Sequence, residues 1–129
     1  MAYKNSLITG ITDLLVLEIL NEKGDSYVYE ITKYITSSSK DLLTISHNTI
    51  YTVMYKLEEE KMISEYSKLV GKKRTRVYYH IEPAGKEYLN DLKNNFQQMI
   101  RGVDFIFQSF AKEGEKKWIK IFVNNILKI

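Results

Sequence analysis

The stretch that decides the fold is SHNTIYTVMYKLEEEKMISEYSKLVGKKRTRVYYHIE, from Ser46 to Glu82. Its first part spaces Ile50, Val53, Met54 and Leu57 three and four residues apart, the signature of a helix with one apolar face. His47, Asn48, Tyr51, Thr52, Tyr55 and Lys56 are left on the other faces as hydrogen-bonding side chains. Ser46 is placed to cap the helix, so that its first-turn amides point away from the protein. Beyond Met62 the chain changes to β-branched and aromatic residues on both sides of Gly71, which predicts a hairpin closed by Pro83. Between Tyr66 and Ile81 there are five cations (Lys68, Lys72, Lys73, Arg74, Arg76) and no carboxylate. A polar helix followed by a basic hairpin implies a mostly α winged helix-turn-helix whose cationic tip suits a polyanion.

Outside the hairpin, charge is balanced. The chain of 129 residues carries a formal net charge of +3, and without the five hairpin cations it has 14 basic against 16 acidic residues. Basicity is therefore focused in one place, as a phosphate-binding patch requires. There is no cysteine, which excludes disulfides, thiolate catalysis and cysteine metal sites. His47 and His80 stand apart from any other ligand set, and the six glycines do not form a phosphate loop. No nucleophile–base pair or paired-carboxylate motif points to an enzyme, and no cofactor is implied. Asp13 and Glu18 interrupt the only apolar run near the amino terminus, so neither a signal peptide nor a membrane span is expected and the chain reads as cytoplasmic.

Working outward, a first helix is predicted over Ser6–Glu22 and a second over Tyr27–Ser37, with Ser26 as its cap and Val28, Ile31 and Ile35 facing inward. From Ala84 onward Leu89, Leu92, Phe96, Met99, Val103, Ile106 and Phe110 alternate at spacings of three and four, a coiled-coil seam flanked by polar residues. A long helix with one such stripe predicts a homodimer. Residues 1–82 thus form a winged helix-turn-helix region and residues 83–129 a helical dimerisation region, whose last segment, Glu115–Ile129, reads as a further amphipathic helix.

YVYEITKYI, the pattern S-x-x-T-I-Y-x-x-x-x-K-L-E-E-E at Ser46–Glu60, and RVYYHIEPAGKEYL together resemble the PadR family of transcriptional regulators over residues 7 to 110. The resemblance implies a winged helix with a carboxy-terminal dimerisation helix, a repressor, and release from DNA by a small hydrophobic or phenolic effector. Carried over by position, it sets Tyr29, Ser46, Asn48, Thr49, Tyr51 and Lys56, with Lys72, Lys73, Arg74 and Arg76 of the hairpin, against double-stranded DNA. It also makes Phe96 a candidate for lining an effector pocket. His47 and Asn48 depart from the Pro–Gly or similar pair common in the family, which alters the bases to be read; His47 is itself a candidate DNA contact.

Blander readings stand beside these. A charged hairpin tip is often only solvated, Tyr29, Tyr51 and Tyr55 have the character of half-buried packing residues, and the stripe from Leu89 to Phe110 suits a plain dimer seam better than a ligand box. A two-fold dimer of reading helices predicts a palindromic operator with half-sites roughly 34 Å apart. The alternative is a winged helix that grips another protein, because a fold does not by itself decide function.

Overall fold

The computed structural model describes Ile8 and residues 10–111. In chain order they form α1 (Thr12–Lys23), α2 (Val28–Ser38), α3 (His47–Glu59), strands β1 (Ile63–Val70) and β2 (Arg74–Ile81), and α4 (Pro83–Phe110). This is the expected winged helix. The helix predicted over Glu115–Ile129 and the residues of the first predicted helix before Ile8 lie outside the described residues. Two compact units divide the chain, Met1–Leu89 and Asn90–Ile129.

In the first unit, α1 buries Val16, Leu17, Ile19 and Leu20, while Ile11, Leu14 and Leu15 are half-buried, so the apolar run is covered on more than one side. It ends at Gly24, whose φ of +94° favours a residue without Cβ. From α2 come Val28, Ile31 and Ile35, and from α3 Ile50, Val53, Met54 and Leu57. Ile8, Ile45, Ile63, Tyr79, Ile81 and Leu89 complete the core among the described residues. Burying each large aliphatic side chain contributes about 1.5–3 kcal/mol, which makes this core the main support of the helix pair α2–α3.

The cap of α2 is Tyr27 and not Ser26. Glu30 Oε1 accepts the Tyr27 amide at 3.2 Å, whereas Ser26 exchanges backbone hydrogen bonds with Tyr79, donating at 3.3 Å and accepting at 2.9 Å. That isolated antiparallel bridge ties the α1–α2 turn to the edge of β2. Ser46 does cap α3, its hydroxyl accepting the Thr49 amide at 3.2 Å.

At its other end α3 closes with Lys61 N–H donating to Glu58 O at 3.0 Å and Met62 N–H to Leu57 O at 2.9 Å. This is a Schellman closure with Lys61, φ +60°, in the left-handed position usually held by glycine. The hairpin follows at once. Its register pairs Ile63 with Ile81, Glu65 with Tyr79, Tyr66 with Tyr78 and Lys68 with Arg76, around a turn opened by Gly71 at φ +72°. Because side chains alternate, Ile63, Ile81 and Tyr79 face the core while Tyr66, Tyr78, Lys68 and Arg76 share the opposite face.

Pro83 occupies the first position of α4, where its missing amide costs nothing. Two residues on, the helix crosses the start of β1 so closely that a Cβ on Gly85 would overlap the Met62 carbonyl and approach Ile81 Cγ1 to 2.9 Å.

Candidate nucleic-acid interface

On α3 the residues opposite the buried stripe are Asn48, Thr52 and Tyr55, at spacings of four and three. All three are exposed, with Tyr55 at 67% and Tyr51 beside it at 54%. Tyr51 and Asn48 were legible as candidate contacts. Thr52 and Tyr55 were not selected, although counting from Asn48 along the helix face identifies them.

The amino-terminal turn of α3 is pinned to α2 by a side-chain relay. Thr32 Oγ1 donates to the Tyr29 carbonyl at 3.0 Å, and His47 Nε2 lies 3.0 Å from the same Thr32 oxygen. The His47 ring meets Tyr29 edge to face at 6.1 Å between centroids. A shallow groove lined by Tyr29, Lys33, Thr44, Ser46, His47 and Asn48 opens here, and a second lies between Tyr29, His47, Tyr51 and the β2 residues Thr75, Arg76 and Val77. The structure therefore brings together Tyr29, Ser46, His47, Asn48 and Tyr51. Thr49 is half-buried, its hydroxyl 3.0 Å from Ser46 Oγ. Lys33 and Thr44 enter the site without having been singled out in the sequence.

Lys56, another of the expected contacts, is paired within the protein. Its ammonium is bonded to Asp13 of α1 at 2.5 Å, and that hydrogen bond holds its pKa above the ordinary lysine value. It therefore clamps α3 to α1 on the flank of the helix, away from the Asn48–Tyr55 stripe.

Lys72, Lys73 and Arg74 are exposed at and beside the hairpin turn, and none of them is engaged by a side-chain partner among the described residues. Arg76 is held, its guanidinium 4.2 Å from the Tyr27 ring centroid. Tyr27 in turn meets Tyr78 edge to face at 5.5 Å, and Tyr66 stacks on Tyr78 at 5.7 Å. Such cation–aromatic contacts restrict a long side chain without neutralising it. At the base of the hairpin, Asp25 accepts hydrogen bonds from Tyr66 Oη at 2.8 Å and His80 Nδ1 at 2.7 Å. Burial raises the Asp25 carboxyl, but the bonds from His80 and Tyr66 and the His80 charge outweigh it and leave the pKa below the ordinary carboxylate value.

Burial, with Glu65 close by, pushes the Glu58 carboxyl up, and burial beside Glu65 and Glu58 raises the Tyr79 phenol to about 12. Tyr79 is thus a neutral core residue.

Along α4 the predicted seam divides. Leu89 is 2% exposed and belongs to the core, so it has little surface left for a second chain; Leu92 and Phe96 are half-buried. Met99, Val103, Ile106 and Phe110 are exposed, and so are Phe105 and Phe107, which the seam did not include.

A three-helix core with a two-stranded wing following its third helix defines the class, a winged helix-turn-helix of the type found in transcriptional regulators. The sequence profile of the transcriptional regulator PadR-like family matches residues 16–91. A transcriptional regulator from Clostridium thermocellum superposes with a TM-score of 0.71 at 30% identity, over 85% of this chain and 99% of that one. A PadR family regulator from Eggerthella lenta gives a TM-score of 0.69 at 26% identity, covering 78% of this chain and 85% of that one. An uncharacterized protein from Lysinibacillus sphaericus is 30% identical over 105 residues, 81% of this chain and 95% of its own length. The chain belongs to the PadR-like family of transcriptional regulators.

Proposed function

We propose that this regulator is a homodimeric, sequence-specific DNA-binding repressor. Asn48, Thr52 and Tyr55 form a polar, aromatic stripe on the outer face of α3, Tyr51 next to them shares a groove with Thr75 and Arg76 of the hairpin, and the cations at the hairpin tip have no side-chain partner among the described residues; this combination carries the reading. The helix enters a major groove, where Asn48, His47 and Tyr51 reach base edges, while Lys72, Lys73, Arg74 and Arg76 hold flanking phosphates. Tyr29, Ser46 and Thr49 frame the approach. Exposed Met99, Val103, Ile106 and Phe110 support a second copy as the partner of α4, and half-buried Phe96 supports a small hydrophobic or phenolic effector that releases DNA. With no helix among the described residues long and apolar enough to cross a membrane, the cytoplasm is the proposed place of action.

Selection of binding sites from random duplex DNA, followed by affinity across a salt series, tests the proposal. A palindromic consensus with steep salt dependence is expected. A folded dimer that enriches no sequence at low salt would instead favour a winged helix that grips another protein, whose binding falls far less with salt.

A further inference from the structure

The relay at the start of α3 fixes a chemical detail of the proposed DNA contact. Thr32 has one hydroxyl proton, and it is used in the 3.0 Å bond to the Tyr29 carbonyl. With that proton on the Tyr29 carbonyl, the Thr32 oxygen accepts at its 3.0 Å contact with His47, and the network assigns the ring proton to Nε2. In a neutral imidazole this leaves Nδ1 with a lone pair and no hydrogen, and Nδ1 has no partner among the described residues. The ring is exposed and lines both grooves beside the reading helix.

From these observations we infer that His47 is a specificity-determining residue: anchored through Nε2 to Thr32, it presents Nδ1 as a hydrogen-bond acceptor to the exocyclic amino group of a cytosine or adenine. The inference rests on the DNA-binding reading above. Protonation leaves the anchor intact, because Nε2–H donates to Thr32 in both charge states. Only the outward nitrogen changes, from acceptor to donor, and a donor cannot pair with an amino group. The charged and titratable groups that line the two grooves with the ring are Tyr29 and Lys33 from α2 with Tyr27 at its cap, Tyr51 from α3, and Glu65, Arg76 and Tyr79 from the hairpin.

The test measures affinity for the selected duplex from pH 8 to 5.5 at constant ionic strength, for the wild type and for His47→Gln, whose side-chain carbonyl accepts but does not titrate. Relative to that variant, wild-type binding is expected to weaken as pH falls, by up to about tenfold per pH unit for each subunit engaged. The comparison cancels pH effects common to the two proteins. Reversing the contacted base pair, which moves the amino group to the other strand and sets a carbonyl oxygen in its place, should cost about tenfold or more. Imidazole 15N shifts of the free protein should report the Nε2–H tautomer, and Thr32→Val should relax preference at that base pair alone.

Relative affinity that rises as pH falls would show that the ring donates, as to a phosphate, and would overturn the inference. So would a pH profile unchanged by His47→Gln, or an Nδ1–H tautomer. Failure to bind any duplex at any pH would overturn the DNA-binding reading, and this inference with it.

Discussion

Lysines 56 and 73 are both exposed, and under the proposed DNA-binding function the structure assigns them opposite effects. Lys73 is exposed at the hairpin turn and has no side-chain partner among the described residues, so in a DNA complex its charge displaces one condensed counterion. Lys73→Ala should therefore flatten the slope of log K against log salt by about 0.9 per subunit, or roughly 1.8 for a two-subunit complex. Between 50 and 200 mM salt, one such contact is worth about 3.5-fold in affinity, so the wild-type advantage shrinks by that factor per subunit over the range. Lys56 already has the Asp13 carboxylate as its counterion. Lys56→Ala should leave the slope unchanged and instead lower stability by up to about 1 kcal/mol, the range for a solvent-exposed ion pair. Titrations by fluorescence anisotropy at four or more salt concentrations, with urea unfolding of each variant, give both numbers. The reasoning is refuted if Lys56→Ala flattens the slope as much as Lys73→Ala, or if Lys73→Ala leaves it untouched.

Gly85→Ala should destabilise the first unit by about 1–3 kcal/mol in urea or thermal unfolding, since the new methyl overlaps the Met62 carbonyl and α4 has to shift. Lys61→Gly should stabilise by about 0.5–1 kcal/mol, because the left-handed conformation costs a non-glycine residue about 1–2 kcal/mol and glycine's extra chain entropy recovers only part of that. Asp25→Asn should cost at most about 1 kcal/mol at neutral pH, as the site is partly exposed and screened. Since the folded pKa of Asp25 is depressed, that contribution is complete above the ordinary carboxylate value and is lost as pH falls through the folded value, so the two proteins should converge in stability under strongly acid conditions.

Much of the fold is legible between Ser46 and Glu82, because its signals are local: an N-cap, an apolar face at helical spacing, β-branched strands and a glycine at the turn. The long-range ties are not legible. Lys56 finds Asp13 across 43 residues and His47 finds Thr32 across 15, so each looks like a free polar side chain when only its neighbours in sequence are considered. Ser26 is a good cap by residue type, but its backbone is drawn into the bridge with Tyr79 and the helix starts one residue later. Leu89 was grouped with the seam because the spacing of three and four continues unbroken from core to exposed surface, and periodicity alone does not mark where one gives way to the other. The helix closure at Lys61 escapes notice for the opposite reason, since left-handed ends are sought at glycine or asparagine.

The closure of α3 at Lys61 has a mechanical consequence. Only Glu60, Lys61 and Met62 separate the helix from β1; the Met62 amide is bonded back into the helix, its carbonyl accepts the Glu82 amide at 2.9 Å, and Gly85 seats α4 against that same carbonyl. Helix and wing are thereby riveted through one residue, Met62. Under the proposed repressor function, a signal that releases DNA finds no loose joint between them at this point.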